Sequence, residues 1–199
     1  MTRTGRPRTF TEDSVVDIAT DLFWQHGYGA TSMNRLGKSA GVLPGSLHAA
    51  FGDKHALFVR ALERYVQGQR DFGAALQDGR PVLPRLREAF DGIASAAGTA
   101  HPHGCMLGNT ATELAHDDPA IAATVRNAFT ELETSIATAL ARAQRDGEVA
   151  PAIDPTASAR MLVALMQGLH LLARVETDPQ RLREAAEAAL APLAHASVR

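Results

Sequence analysis

The 199-residue chain predicts an all-α protein. It reads as an N-terminal three-helix helix-turn-helix domain followed by a larger C-terminal helical domain, about nine helices together. Three observations carry this. Apolar residues recur at spacings of three and four along most of the chain, the period of one helix face. No run alternates apolar and polar residues strongly enough to predict a strand. The dipeptide Asp-Pro stands at Asp118-Pro119, Asp154-Pro155 and Asp178-Pro179. There Asp accepts from unpaired backbone N–H groups and Pro is preset for a first helical turn.

Val15, Val16, Ala19, Leu22 and Phe23 form the inward stripe of a first helix over about residues 11–26, with Thr11 as N-cap. Thr31 or Ser32 caps a short second helix whose inward face is Met33, Leu36 and Ala40. Gly41 suits a left-handed stop after it. Pro44 opens a third helix over about 44–50, with Leu47 and Phe51 assigned to the core. Asp53 caps the next, over about 54–77, with Leu57, Phe58, Ala61 and Leu62 on its apolar side. Pro81 and Pro84 open a helix over about 82–98, and Gly104 to Ala115 makes another, with Gly104 as its cap. The Asp-Pro pairs open helices over about 119–147, 155–175 and 179–195, and Gly147 and Pro151 stop the first of these. The domain boundary is placed at 55/56.

Charge is uneven. Residues 1–60 hold seven basic and five acidic groups, while the remainder holds 13 basic and 17 acidic, within a formal net charge of −2. Arg3, Arg6 and Arg8 make the first eight residues a basic arm without an acid. With one cysteine, no intrachain disulfide can form. No apolar run approaches the roughly 20 residues needed to span a bilayer, and no secretion signal follows the basic start. A reducing cytoplasm is the expected location, with no membrane partner and no cofactor implied.

The stretch TSMNRLGKSAGVLPGSLHAAFGDKHALF, residues 31–58, is a helix-turn-helix with its supporting helix. Together with FTEDSVVDIATDLFWQHGYGATSM before it, it resembles the DNA-binding domain of the TetR family of one-component transcriptional regulators. The ordered set His26-Gly27-Tyr28, Thr31-Ser32, Ala40-Gly41-Val42, Leu47, Phe51, Lys54 and Leu57 carries the likeness, which is strong over about residues 8–65 and weaker as helix layout beyond.

Such a motif sets its second helix in the major groove. The candidate readers are Leu43, Pro44, Ser46, His48 and Ala49. None is an Arg or Lys for guanine, nor an Asn or Gln for adenine, so apolar contact with thymine methyls is expected. The family usually has a tyrosine at the place of His48, with its hydroxyl on a phosphate. The histidine either makes that contact through a ring N–H or is merely exposed. By resemblance Lys54 contacts a phosphate, helped by a helix N-terminus. Thr31 and Ser32 can touch the DNA backbone or serve only as caps. The run Gly5-Arg6-Pro7 among arginines resembles minor-groove arms.

One reading head covers half a site, so a homodimer on a palindromic double-stranded operator is expected. The expected dimer surface is Leu162, Leu165, Gly168, Leu169 and Leu172 with Leu182, Ala186 and Leu190, by the family's habit of pairing its last two helices. Part of that band must be the subunit's own core.

The resemblance implies a small-molecule effector, of unknown identity, in the C-terminal domain. The run GCMLGNTATELAHDDPAI is similar to a branch with electrophile-, oxidant- and copper-responsive members. Cys105 admits three readings: a reactive thiol at a helix N-terminus helped by His101 or His103, a metal ligand with those two histidines and His170, or a small buried apolar residue. Leu107, Thr110, Phe129 and Met166 are further pocket candidates. An enzyme is the competing class, through a Cys105–His101/His103 pair. Against it, the chain lacks a GxSxG elbow, a phosphate loop, a dinucleotide fingerprint and an HExxH pair. A purely protein-binding helical adaptor is the third class.

Overall fold

A computed structural model describes residues 11–99 and 103–195, in two compact units that divide between Tyr65 and Val66. Arg3, Arg6, Arg8 and His101 lie outside the described residues. Among those described there are nine α-helices and a closing 3₁₀ turn, Ala191–Leu193. The only extended pairing among them is a single bridge between Val149 and Ala194.

The N-terminal unit holds α1 (Glu12–His26), α2 (Met33–Ala40), α3 (Pro44–Phe51) and the first part of α4 (Lys54–Ala75). It ends ten residues beyond the expected boundary because α4 is fastened to α1 as far as Arg64. Phe23 meets Phe58 edge-on with ring centroids 5.0 Å apart, and the buried Thr20 hydroxyl donates to the carbonyls of Val16 and Ala61. Arg60 pairs with Glu12 at 2.9 Å and Arg64 with Asp13 at 2.8 Å. Those exposed ion pairs add little stability beside the aromatic burial.

The caps fall largely where Asp, Thr and Ser predict them. Thr11 accepts from the Ser14 N–H and Ser32 from the Arg35 N–H, each at 3.2 Å. Asp53 accepts from the Ala56 N–H at 2.8 Å. Gly41 takes the left-handed conformation at φ 65° that an L-residue adopts only with strain.

The C-terminal unit holds the rest of α4 with α5 (Val82–Ala94), α6 (Met106–Leu114), α7 (Pro119–Arg145), α8 (Pro155–Leu172) and α9 (Pro179–Leu190). All three Asp-Pro starts are capped as expected: Asp118, Asp154 and Asp178 each accept from backbone N–H groups of the following turn. Its core joins Leu86 and Phe90 of α5, Ile136 and Leu140 of α7, Leu162 of α8 and Leu190 of α9.

Several ends differ from expectation. α5 stops at Ala94 rather than near 98, because the chain turns at Gly98 (φ 73°), whose N–H donates to the Glu176 carbonyl at 3.0 Å. α6 starts at Met106, so the cap position is Cys105 rather than Gly104, and no side chain caps it. The N-terminus of α5 is satisfied from far along the chain: the Glu148 carboxylate accepts from the N–H groups of Val82 and Leu83 at 2.9 and 2.7 Å.

Candidate nucleic-acid interface and effector cleft

Within the N-terminal unit, Leu36, Leu47 and Phe51 are buried and hold α2 and α3 together. Gly37 makes this approach possible, a role that residue spacing does not reveal. A Cβ on Gly37 would lie 2.6 Å from the Val42 carbonyl oxygen, a backbone atom that cannot step aside cheaply. With Leu47 and Phe51 inward, α3 presents Ser46, His48 and Ala49 to solvent, with Pro44 half-buried at its first turn. Leu43, just before the helix, is 77% exposed. The five expected readers therefore lie on the outward side of one short segment. The exposed side chains of Arg35 and Lys38 on α2 join them as candidate phosphate contacts. No acidic residue occurs between Asp21 and Asp53, so no carboxylate of this stretch would repel a phosphate.

Three expected contacts are revised by their surroundings. Thr31 is fully buried and its hydroxyl donates to the Gly27 carbonyl at 2.8 Å, so it is a packing residue and cannot reach DNA from this conformation. Ser32, beside it, is exposed and is the actual cap. Lys54 is half-buried; its ammonium donates to the Tyr28 carbonyl at 3.1 Å and sits 4.0 Å from the centroid of the Tyr28 ring. An ammonium has three N–H groups, so this anchor leaves donors for a phosphate. The His48 ring uses Nδ1 on the Gly52 carbonyl at 2.7 Å.

In the C-terminal unit the expected dimer band divides. Leu162, Leu169, Leu182, Ala186 and Leu190 belong to the unit's own core, because α8 packs on α5 and α7, and α9 on α5. Leu165 is half-buried, while Gly168 and Leu172 are exposed. With Met161, Ala164, Leu171 and Val175 these form an exposed apolar strip at helical spacing.

A cleft of about 240 Å³ lies between α6 and α8, lined by Cys105, Gly108, Asn109 and Thr112 on one side and Gln167, His170, Leu171 and Arg174 on the other. Arg174 donates to the Asn109 side-chain oxygen, and the Asn109 amide donates to the His103 carbonyl, both at 2.9 Å. Gln167 Oε1 is buried without a hydrogen-bond partner among the described residues. Burial holds the His170 imidazole below the ordinary histidine range, favouring its neutral form.

The cleft thus joins Cys105 and His170 of the expected sensing residues. Leu107 and Thr110 are instead buried on α6, and Phe129 and Met166 pack against the core. None of those four lines the cleft: Leu107 and Thr110 are buried on another face of α6, Phe129 stands on α7, and Met166 packs on the core one turn before His170. No group of three His, Cys, Asp or Glu side chains among the described residues is placed to hold a metal ion. No helix among them is long and apolar enough to cross a membrane.

Residues 15–61 match the model of bacterial regulatory proteins of the tetR family, and residues 82–189, more than half of the chain, match that of the tetracyclin repressor-like C-terminal domain. The chain belongs to the TetR family. It is 32% identical over 185 residues to the HTH-type transcriptional repressor ComR of Escherichia coli K12, covering 92% of this chain and 88% of ComR. It is 37% identical over 108 residues to the HTH-type transcriptional repressor BdcR of the same strain, covering 52% and 53%. Among solved structures it is similar to a cysteine mutant of the TetR family regulator CifR complexed with 26 bp of double-strand operator DNA. The TM-score is 0.79 at 26% identity, over 95% of this chain and 100% of that one. This is a transcriptional regulator of the TetR family, and its relatives are regulators rather than enzymes.

Proposed function

We propose that this TetR-family regulator is a cytoplasmic homodimeric repressor that grips a roughly palindromic operator and is released when a small molecule enters the α6/α8 cleft. The observation that carries the DNA reading is the outward face of α3, with Leu43, Ser46, His48 and Ala49 exposed beside an α2 that bears Arg35 and Lys38. Two such heads read successive turns, about 34 Å apart. The exposed α8 strip supports dimerisation. Met161, Leu171, Leu172 and Val175 are large apolar groups that a monomer would leave in water, and Gly168 has open space beside it for a partner helix. Arg3, Arg6 and Arg8 extend the phosphate contacts as a basic arm.

The cleft favours a small polar effector. Its room is limited, Arg174 brings a cation to its lining, burial favours the neutral form of His170, and Gln167 offers an acceptor for a ligand hydroxyl or amine. Cys105 is 3% exposed, which favours a wall of the cleft over an open nucleophile.

Fluorescence anisotropy on duplexes from the promoter beside its own gene tests the DNA reading. Tight binding that weakens steeply with salt is expected, and deletion of residues 2–8 should reduce the log–log salt slope by about 0.9 for each phosphate that is no longer neutralised. Affinity that ignores salt would end this reading. For the sulfur, short exposure to p-benzoquinone should leave the complex intact. Release of the parent but not of Cys105→Ser would replace the cleft reading with covalent sensing.

A further inference from the structure

His48 stands midway along α3, exposed, on the face proposed to enter the major groove. Its ring is not a free rotor. Nδ1 lies 2.7 Å from the Gly52 carbonyl oxygen. Gly52 ends α3 at φ 80°, a conformation that favours glycine, and its own N–H donates to the His48 carbonyl at 2.9 Å. The two residues are therefore joined twice, once through the backbone and once through the ring.

A carbonyl oxygen only accepts, so Nδ1 must carry the proton. A neutral imidazole has one N–H. With that proton spent on Gly52, Nε2 is a bare lone pair. This changes what the residue can recognise. Phosphate oxygens, guanine O6 and N7, adenine N7 and thymine O4 are all acceptors and repel a lone pair. The donors on the floor of the major groove are the exocyclic amines of adenine (N6) and cytosine (N4).

We propose that His48, with its Nδ1–H held by the Gly52 carbonyl, is a specificity residue that accepts a hydrogen bond at Nε2 from the exocyclic amine of an adenine or cytosine in each half-site, not a phosphate contact. The inference rests on the proposed role of α3 as the reading helix. The ring is held by Gly52 before DNA arrives, so little side-chain freedom is lost on binding. The capping contact thereby sets the base preference through the tautomer it enforces.

The test starts from randomised duplex DNA selected with the full-length protein at about pH 8. Selected sites should carry an adenine or cytosine at one position of each half-site. Replacing that base by its analogue lacking the amine (purine for adenine, pyrimidin-2-one for cytosine) should weaken wild-type binding about three- to tenfold, the range of one neutral hydrogen bond. This arm uses the unaltered protein, so it does not depend on any variant folding. His48→Ala should lose the preference at that position alone, become indifferent to the analogue, and keep the wild-type salt slope.

Two results overturn the inference while leaving DNA reading by α3 intact. In one, no amine deletion in the selected site affects the wild type. In the other, His48→Ala lowers the salt slope by about 0.9 per half-site, the mark of one phosphate fewer neutralised. If the wild type enriches no sequence at all, the reading of α3 fails and this inference falls with it.

Discussion

Among the described residues large apolar groups are exposed in two places, and the two differ in scale. At the start of α3 Leu43 is 77% exposed, in a segment of small and polar residues that follows the exposed Arg35 and Lys38 of α2 in the chain. Along α8 and the turn that follows it the exposed groups form a strip: Met161, Leu171, Leu172 and Val175, with Ala164 and Gly168 between them. A single leucine in such a segment suits the edge of a base pair, where one methyl is met and phosphates lie on both sides. A strip several turns long with small residues inside it suits a second helix, which can approach closely and remove all of it from water. Exposed hydrophobicity thus carries different information according to its extent and its surroundings.

The sharpest way to break that contrast is to charge the strip. Leu172→Glu is expected to separate the proposed dimer, cost about 2 kcal/mol or more of association, and weaken operator binding roughly thirtyfold. Sedimentation velocity and anisotropy check both effects. Leu172 is 49% exposed in the single chain, so thermal stability of the subunit should hardly move. An unaltered dimer would remove the strip from the interface.

Next in size is Gly37→Ala. Its Cβ would meet the Val42 carbonyl at 2.6 Å, and overpacking of this kind costs about 1–3 kcal/mol. Calorimetry should show a lower unfolding temperature, and operator affinity should fall because α3 is displaced.

Leu43 offers a smaller and more selective effect. Replacing one thymine of the bound site by uracil, which lacks only the methyl, should cost the wild type about 0.8 kcal/mol, the value of one buried methylene-sized group. Leu43→Ala should be insensitive to the same change. Equal losses in both proteins would mean that Leu43 meets no methyl.

The smallest effect concerns His170. Burial lowers its folded-state pKa from the ordinary histidine value of 6.5, so the unfolded chain binds the proton more readily. Its contribution to stability is complete above about pH 6.5 and is lost as pH falls from there through the depressed folded value. His170→Gln should flatten that part of a plot of unfolding temperature against pH. An unchanged acid slope would show that His170 does not contribute to it.

Much of the fold was legible because helix starts are local chemistry. Thr11, Asp53, Asp118, Asp154 and Asp178 cap within their own turn, so neighbouring residues suffice to place them. The outward face of α3 was legible for a related reason: once Leu47 and Phe51 point inward, helical geometry decides where Ser46, His48 and Ala49 go.

Other features depend on residues far apart in the chain. Glu148 caps α5 from 66 positions away. Thr31 and Ser32 are chemically alike, and only the packed turn at Gly27 makes one a buried donor and the other a cap. Cys105 and His170 share the cleft from two different helices' ends, while Leu107 and Thr110, nearer to Cys105 in sequence, face elsewhere.

The apolar period and the capping residues settled the helices and their order, since these rest on contacts within a few residues. Which apolar residues of α8 and α9 are core and which stay bare, what forms the cleft, and which carbonyl the His48 ring meets were decided only by packing. Each of those depends on a neighbour supplied by another turn, cap or helix, and chain spacing alone does not encode that neighbour's position.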